Sequence, residues 1–201
     1  MKLRKKGFPW ALYESLRQVE REEAFRLLKW AVDSLPPAWD SSWKGVGRKP
    51  VDARALTVVT VWQEIEGKPE RVYTADLERD RACLKMLGLE RTPHRTAIYR
   101  TRKKLTEEYM KELNHKILER LGPARQVGPD ATGMRQSKRD CAWSSTGNAG
   151  RKDYVKLHGL FNLETRALEA FEITAGTEHE CNHLEHLLDG LDHMECLPAD
   201  S

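Results

Sequence analysis

Apolar positions recur at helical spacing through the first part of the chain. In residues 8 to 35 the apolar side chains fall at intervals of three, four and seven or eight, which predicts an amphipathic helix. A second helix is predicted from about Val51 to Glu66, and Gly67 and Pro69 are expected to end it. The first part of the chain is therefore expected to be helical.

Two further helices, separated by a short glycine turn, are predicted within about residues 74–105. Thr74 is a candidate N-cap for the first of them, which Gly88 would end. Thr92 is a candidate N-cap for the second, and Pro93 would occupy its first helical position. A helix, a turn with glycine and another helix make a helix-turn-helix motif.

The second of these helices is strongly basic, with no acidic residue between positions 91 and 104. Its basic residues are Arg91, Arg95, Arg100, Arg102, Lys103 and Lys104. Such a helix can place positive charges against phosphates and base edges of DNA. A solvated basic face with no ligand would give the same pattern, but the preceding helix and the tight turn favour DNA binding.

After Gly122–Gly128 the apolar residues no longer recur at helical spacing but at every second position, as in a strand. Apolar and polar residues alternate over residues 154–163 and again over 168–173, which predicts an antiparallel hairpin with its turn at Glu164–Arg166. A helix from about His179 to Leu191 and a strand containing Leu197 are expected to follow. The predicted fold class is α+β, with an all-helical region at 1–122 and a mixed domain at 123–201.

Charge divides the chain at the same place. Residues 1–122 carry 26 Lys+Arg against 18 Asp+Glu, whereas residues 123–201 carry 8 against 13. A basic half followed by an acidic half indicates a part that binds polyanions and a part that can hold cations. No apolar run is long enough for a membrane helix, and the four widely spaced cysteines indicate a reducing, cytoplasmic compartment.

Two aspartates in the second half are candidate metal ligands. Asp130 is expected to follow a short strand, and Asp200 to follow the strand that contains Leu197. If these strands are neighbours, the two carboxylates converge at one rim of the sheet and can hold Mg²⁺ through their oxygens. Either aspartate alone could instead be a turn former or a helix cap.

The motifs "DATGM", "DYVKLHGLFNLETRALEAFEITAGTEHE" and "LPADS" together resemble the catalytic domain of DDE transposases of prokaryotic insertion sequences. The resemblance implies a ribonuclease H-like fold, here incomplete, with Asp130 as the first catalytic and metal-binding aspartate and Asp200 as the second. Lys156, Leu157 and His158 match the family's hairpin motif. Thr174, Gly176 and His179 match the segment that precedes the next helix.

The same resemblance implies a function and a set of partners. It implies Mg²⁺, or Mn²⁺ in its place, double-stranded DNA as transposon ends and target, a homodimer on DNA, no membrane, and a prokaryotic cytoplasmic location with the nucleoid. The family's third acidic residue, a glutamate on a later helix, has no counterpart among the 201 residues. We therefore expect a transposase that is inactive alone. The alternative is a non-catalytic DNA-binding remnant or a repressor of transposition.

Further polar residues of the second half have two possible roles. A Ser/Gly-rich loop and its surroundings carry basic residues that could follow a DNA backbone or could be a solvated loop: Arg135, Lys138, Arg139, Arg151, Lys152 and Lys156. His179, His183 and His186 have a spacing that could bind zinc on a helix, although surface histidines beside a leucine face explain it as well.

Overall fold

The computed structural model describes residues 10–42, 45, 49–122, 124, 126–135, 154–176, 178 and 182–189. The chain divides into two compact units, Met1–Leu113 and Asn114–Ser201. The first unit is helical and the second contains an antiparallel sheet of three strands. This mixture of helices and a small sheet is consistent with the predicted α+β class.

The first unit is built around a helix that is buried on most sides. Helix α1 spans Trp10–Ser34 and α2 spans Ala53–Ile65, so both helices predicted from the apolar spacing are confirmed. The side chain of Asp52 caps α2 by accepting the backbone N–H of Ala55 at 2.8 Å, and Gly67 follows the helix with φ of +62°. Nine of the thirteen residues of α2 are buried, so it forms the centre of the unit.

Aromatic and charged contacts join α1 to α2. The rings of Phe25 and Trp62 meet edge to face with centroids 5.2 Å apart, a favoured aromatic geometry. The carboxylate of Glu66 accepts hydrogen bonds from Arg21 Nε at 2.9 Å and from Trp62 Nε1 at 3.0 Å. Lys68 Nζ lies 2.9 Å from Glu66 Oε2 and also 2.9 Å from Asp76 Oδ2, which extends the network to the next helix.

The single helix predicted between Thr74 and Gly88 is two helices in the structure. Helix α3 spans Glu70–Arg79 and α4 spans Arg81–Met86. The prediction that Thr74 is an N-cap is wrong: it lies inside α3, and its hydroxyl donates to the carbonyl oxygen of Arg71. The break falls at Asp80, which leaves helical geometry and accepts the N–H of Cys83 at 2.9 Å, because a short carboxylate competes well for helix N–H groups.

The basic helix begins later than the sequence indicates. Helix α5 spans Arg95–Arg102, with His94 as its N-cap, so Thr92 is not the cap and Pro93 is not the first helical residue. His94 Nδ1 accepts the N–H of Thr96 at 3.3 Å. Gly88 does end the preceding helical segment, with φ of +66°. The prediction of a tight turn is wrong, because residues 87–94 separate α4 from α5. Helix α6 follows at Glu107–Leu121, and the boundary between the two units falls within it.

Three strands form the sheet of the second unit. Strand β1 spans Val127–Arg135, β2 spans Tyr154–Asn162 and β3 spans Leu168–Ala175, in the order β1-β2-β3 with both pairs antiparallel. The predicted hairpin is confirmed by the pairing of β2 with β3.

The hairpin turn and one face of the sheet are held by buried polar side chains. Asn162 is 3 % exposed, and its Oδ1 accepts the N–H groups of Glu164 at 3.0 Å and Thr165 at 3.1 Å, which fixes the turn. His158 and Leu160 lie on the same side of β2 and are also buried. Helix α7, Leu184–Leu188, packs against β3. Residues 182, 183 and 189 of the helix predicted at 179–191 are described and lie outside α7, so that helix is shorter than predicted. Residues 179–181 and 190–191, and the strand predicted around Leu197, lie outside the described residues.

Candidate functional site

Asp130 lies on an exposed edge of the sheet. It is the fourth residue of β1, its Cα partner across the ladder is Gly159, and its side chain is exposed. The prediction that it follows the end of a strand is wrong, because β1 continues to Arg135. Pro129, which has no N–H to donate, precedes Asp130, and proline within a sheet is tolerated mainly on edge strands.

The geometry around Asp130 suits a metal ligand. Among the described residues β1 pairs with β2 alone, so its other edge has no strand beside it there. Asp130 Oδ1 accepts the N–H of Ala131 at 2.8 Å, which orients the carboxylate. A carboxylate held by its own backbone at an exposed strand edge can offer oxygen to Mg²⁺, a cation that prefers oxygen ligands. Asp130 is thus one oxygen donor for such a cation, and the second predicted donor, Asp200, lies outside the described residues.

Several of the other predicted site residues lie outside the described residues. Of Arg135 only the backbone is described, as the last residue of β1. Asp200, Lys138, Arg139, Arg151 and Lys152 are not described at all. The convergence of Asp130 with Asp200 therefore stays a prediction. Within the part of the chain that the structure describes, no group of three or more His, Cys, Asp or Glu side chains could hold a metal ion.

The hairpin motif residues meet in one polar cluster. His158, 2 % exposed, has its Nε2 2.9 Å from Thr174 Oγ1 on β3. Its ring stacks on that of His183, with centroids 4.6 Å apart and an interplanar angle of 29°. Lys156, predicted to bind DNA, donates from Nζ to the carbonyl oxygen of Glu178 at 3.3 Å. The structure thus brings together residues of motifs that are well separated in the sequence.

The ring of His183 lies between two carboxylates. Its Nδ1 is 3.1 Å from Glu172 Oε2, and its Nε2 is 3.0 Å from Glu178 Oε2. A zinc site on His183 would have to break one of these contacts. His186 is exposed on α7, and His179, the third histidine of the zinc alternative, lies outside the described residues.

The predicted basic residues of the helical unit divide into two groups. Arg91, Arg95 and Arg100 are exposed, with Arg91 preceding α5. Lys103 and Lys104 follow α5, and their ammonium groups lie 4.7 Å and 4.8 Å from the ring centroids of Tyr99 and Trp39. These five residues could meet a polyanion without breaking an ion pair that the structure shows.

Arg102 differs from the other basic residues because it holds three helices together. Its Nη1 donates to Glu70 Oε1 of α3 at 2.9 Å, and its Nη2 donates to Gln63 Oε1 of α2 at 2.8 Å. The same Nη2 lies 2.5 Å from Glu64 Oε1. The pKa of Glu70 is lowered by its own backbone N–H and by Arg102. Arg102 therefore stabilises the helical unit, and the sequence pattern alone does not distinguish this role from DNA binding.

Tyr99 is a candidate interface residue that the basic pattern does not include. It lies on α5, is 50 % exposed, and stacks with the ammonium group of Lys103 four residues later. The i,i+4 spacing of an aromatic and a basic residue on a predicted helix is a signal that the sequence did offer.

No helix in the described part of the chain is long and apolar enough to cross a membrane.

Comparison with known proteins gives one result, and it covers the second unit. Residues 129–200, about a third of the chain, match the model of a family described as Transposase DDE domain. No curated protein and no solved structure gives a significant match. The matched range contains both predicted carboxylates, Asp130 and Asp200. The match supports the DDE transposase family for this part of the chain and suggests transposase function.

Proposed function

We propose that this chain is a DDE transposase component that binds double-stranded DNA and holds a divalent cation with Asp130 and Asp200. The single observation that carries the proposal is the family match over residues 129–200, which begins one residue before Asp130 and ends at Asp200. Among the described residues the edge of β1 away from β2 has no partner strand, which leaves room beside Asp130 for the strand that would carry Asp200.

We propose a ribonuclease H-like arrangement for the second half of the chain, residues 123–201. An antiparallel β1-β2-β3 sheet is compatible with it, and the edge of β1 away from β2 is the place where a strand carrying Asp200 would lie beside Asp130. In that arrangement the two carboxylates would lie on neighbouring strands, with Asp130 inside β1. Mg²⁺, or Mn²⁺ in its place, would stabilise the attacking and leaving oxygens of a phosphodiester displacement.

In this reaction the protein residues position the metal ion and neutralise the charge of the DNA phosphates. Asp130, oriented by its contact with the N–H of Ala131, supplies oxygen ligands at a fixed place on β1. Basic residues that follow Asp130 in the sequence would neutralise phosphates of the bound DNA strand: Arg135, Lys138, Arg139, Arg151 and Lys152. The supply of ligands and the neutralisation of charge are the main contributions a protein makes to phosphoryl transfer.

We propose that the helical region, residues 1–122, binds DNA through the exposed side of α5. Arg91, Arg95, Arg100 and Lys103 are the phosphate-contacting candidates, with Tyr99 beside them. The helix, glycine turn and basic helix at about 74–105 would act as a helix-turn-helix element. A homodimer bound to paired transposon ends is the assembly we propose for the protein in a prokaryotic cytoplasm.

Two measurements test the proposed function. The first is Mn²⁺ binding by the full chain, followed by electron paramagnetic resonance, with Asp130→Ala and Asp200→Ala expected to abolish it. The second is binding of a duplex oligonucleotide at several salt concentrations, where affinity is expected to fall steeply because phosphate contacts release counterions. DNA binding without Mn²⁺ binding would favour the non-catalytic DNA-binding alternative, and neither kind of binding would contradict both.

A further inference from the structure

The exposed side of α5 carries two uncharged residues among its basic ones. The helix buries Ile98 and Thr101, which are 0 % and 2 % exposed, and packs against α2 and α3. Its exposed residues are Arg95, Thr96, Tyr99, Arg100 and the C-cap Lys103. The basic residues of this side are the proposed phosphate contacts, whereas Thr96 and Tyr99 have no DNA group assigned to them.

The helical repeat sets the order of these residues around the helix axis, because each residue is rotated by about 100° from the one before it. Counted from Arg95, Tyr99 lies at about 40° and Thr96 at about 100°. Arg100 closes the exposed arc at about 140°, and the two buried residues lie at about 240° and 300°. Tyr99 and Thr96 are therefore in the middle of the exposed arc, with one arginine on each side of them.

This order of residues fits a helix that lies in the major groove of DNA. Such a helix presents the middle of its exposed side to base edges and its flanks to the phosphates of the two strands. In helix-turn-helix proteins the N-terminal residues of the second helix contact the bases. Thr96 and Tyr99 are the second and fifth residues of α5, so they lie where base contacts are made. Arg95 and Arg100 lie where phosphates would be.

The contacts of Thr96 leave its methyl group as the part available to a ligand. His94 Nδ1 accepts the N–H of Thr96 at 3.3 Å and lies 2.9 Å from Thr96 Oγ1, so the hydroxyl is engaged at the start of the helix. Tyr99 comes three residues later, and residues at this spacing are neighbours on a helix surface. The two side chains therefore offer a methyl group and an aromatic ring next to each other.

The ring of Tyr99 is exposed and is also held in place. It is 50 % exposed, and Lys103 Nζ lies 4.7 Å from its centroid. Lys103 is the C-cap of α5 and keeps right-handed helical geometry, so its position is set by the helix. An ammonium group is attracted to the face of an aromatic ring, which restricts the positions of this ring. The exposed part of the ring is apolar surface that gains free energy when a ligand covers it.

We propose that Thr96 and Tyr99 recognise an A·T base pair in the major groove by contact with the 5-methyl group of thymine. This inference rests on the proposed binding of DNA by α5. Thymine presents a methyl group in the major groove, and apolar side-chain atoms are the groups that contact it. Arg95 and Arg100 contact phosphates, which carry no sequence information directly. Thr96 and Tyr99 therefore determine the base preference at this position, and the arginines determine the strength of binding.

The experiment removes the thymine methyl group and nothing else. Duplexes that bind the full chain are selected from a randomised library, and each thymine of the selected sequence is then replaced by uracil, which lacks the 5-methyl group. We expect at least one replacement to weaken binding about fourfold, the effect of one buried methyl group. Tyr99→Phe keeps the ring and should show the same loss. Tyr99→Ala should bind the thymine and uracil duplexes equally.

Arg100→Ala is the matched variant on the same exposed side of α5. It should weaken binding of both duplexes by the same factor and make the salt dependence shallower, whereas Tyr99→Ala should leave the salt dependence unchanged. Selection without an enriched thymine, or an equal uracil effect in Tyr99→Ala and the wild type, would overturn the base contact and leave DNA binding by α5 standing. If the wild type binds no duplex, the proposed DNA binding is wrong and the base contact falls with it.

Discussion

Replacement of Arg102 by alanine separates the structural from the DNA-binding part of the basic helix. Its guanidinium joins α5 to Glu70 of α3 and to Glu64 and Gln63 of α2. Since these side chains are part of the helical unit's own packing, we expect Arg102→Ala to lower the free energy of unfolding. The loss of DNA affinity should be small at temperatures where the variant is folded.

The magnitude follows from the exposure of the partners. The side chains of Arg102 and Glu64 are 38 % and 56 % exposed, and that of Glu70 is 32 % exposed, so each ion pair contributes about 0.2–1 kcal/mol after solvent screening. Gln63 is 4 % exposed, and leaving its carbonyl oxygen without Arg102 costs about 1–3 kcal/mol. Together these give a loss of about 1.5–5 kcal/mol.

The matched control is Arg100→Ala on the same helix. Arg100 is exposed, so its replacement should change the free energy of unfolding by less than about 0.5 kcal/mol. Its DNA affinity should nevertheless fall, and the salt dependence of binding should become shallower by about one phosphate contact. Urea denaturation followed by circular dichroism gives the stability, and fluorescence anisotropy with a duplex oligonucleotide gives the affinity.

The result that refutes this reasoning is the opposite pattern. If Arg102→Ala kept full stability and lost DNA affinity, the guanidinium would be a DNA contact rather than a link between helices. If Arg100→Ala left both stability and DNA affinity unchanged, α5 would be a solvated basic face, as the sequence alone allows.

Three further outcomes follow from other contacts. Burial alone would raise the pKa of Glu66, but Arg21 and Lys68 outweigh burial and lower that pKa. The carboxylate therefore adds stability at neutral pH, and this stability is lost as pH falls through the folded-state pKa. The urea midpoint should accordingly fall less for Glu66→Gln than for the wild type as pH is lowered from about 7. Gly159→Ala should destabilise the sheet by about 1–3 kcal/mol, because its Cβ would lie 2.7 Å and 2.9 Å from atoms of two neighbouring side chains, and thermal unfolding measures the loss. Burial raises the pKa of the Cys83 thiol to about 12, so peptide mass spectrometry should find it alkylated far more slowly in the folded than in the unfolded chain.

The elements with strong periodicity could be predicted from the sequence. The spacing of apolar residues located α1 and α2, and alternation located the β2–β3 hairpin, because burial of one face determines these patterns. The break at Asp80 was missed because helical periodicity continues across it, whereas a single side-chain cap ends the helix there. The spacing of apolar residues does not reveal where a side chain competes for backbone N–H groups.

The sequence could predict which residue types form the candidate site, but not where those residues lie in the fold. The sequence singled out Asp130 as a candidate ligand, but placed it after a strand, because Gly128 and Pro129 look like a strand end when the pairing partner is unknown. The contacts of His183 with Glu172 and Glu178 depend on the register of the sheet and on the docking of a helix. Spacing along the chain carries no information about such long-range contacts.

The most direct test of the central claim is the Mn²⁺ affinity of the full chain and of two aspartate variants. Asp130 is proposed as a ligand, and Asp189 is an exposed aspartate in the same unit that has no part in the proposed site. We predict that Asp130→Ala abolishes Mn²⁺ binding in the electron paramagnetic resonance titration and that Asp189→Ala leaves it unchanged. Equal Mn²⁺ affinity in the wild type and in Asp130→Ala would contradict the proposed carboxylate site.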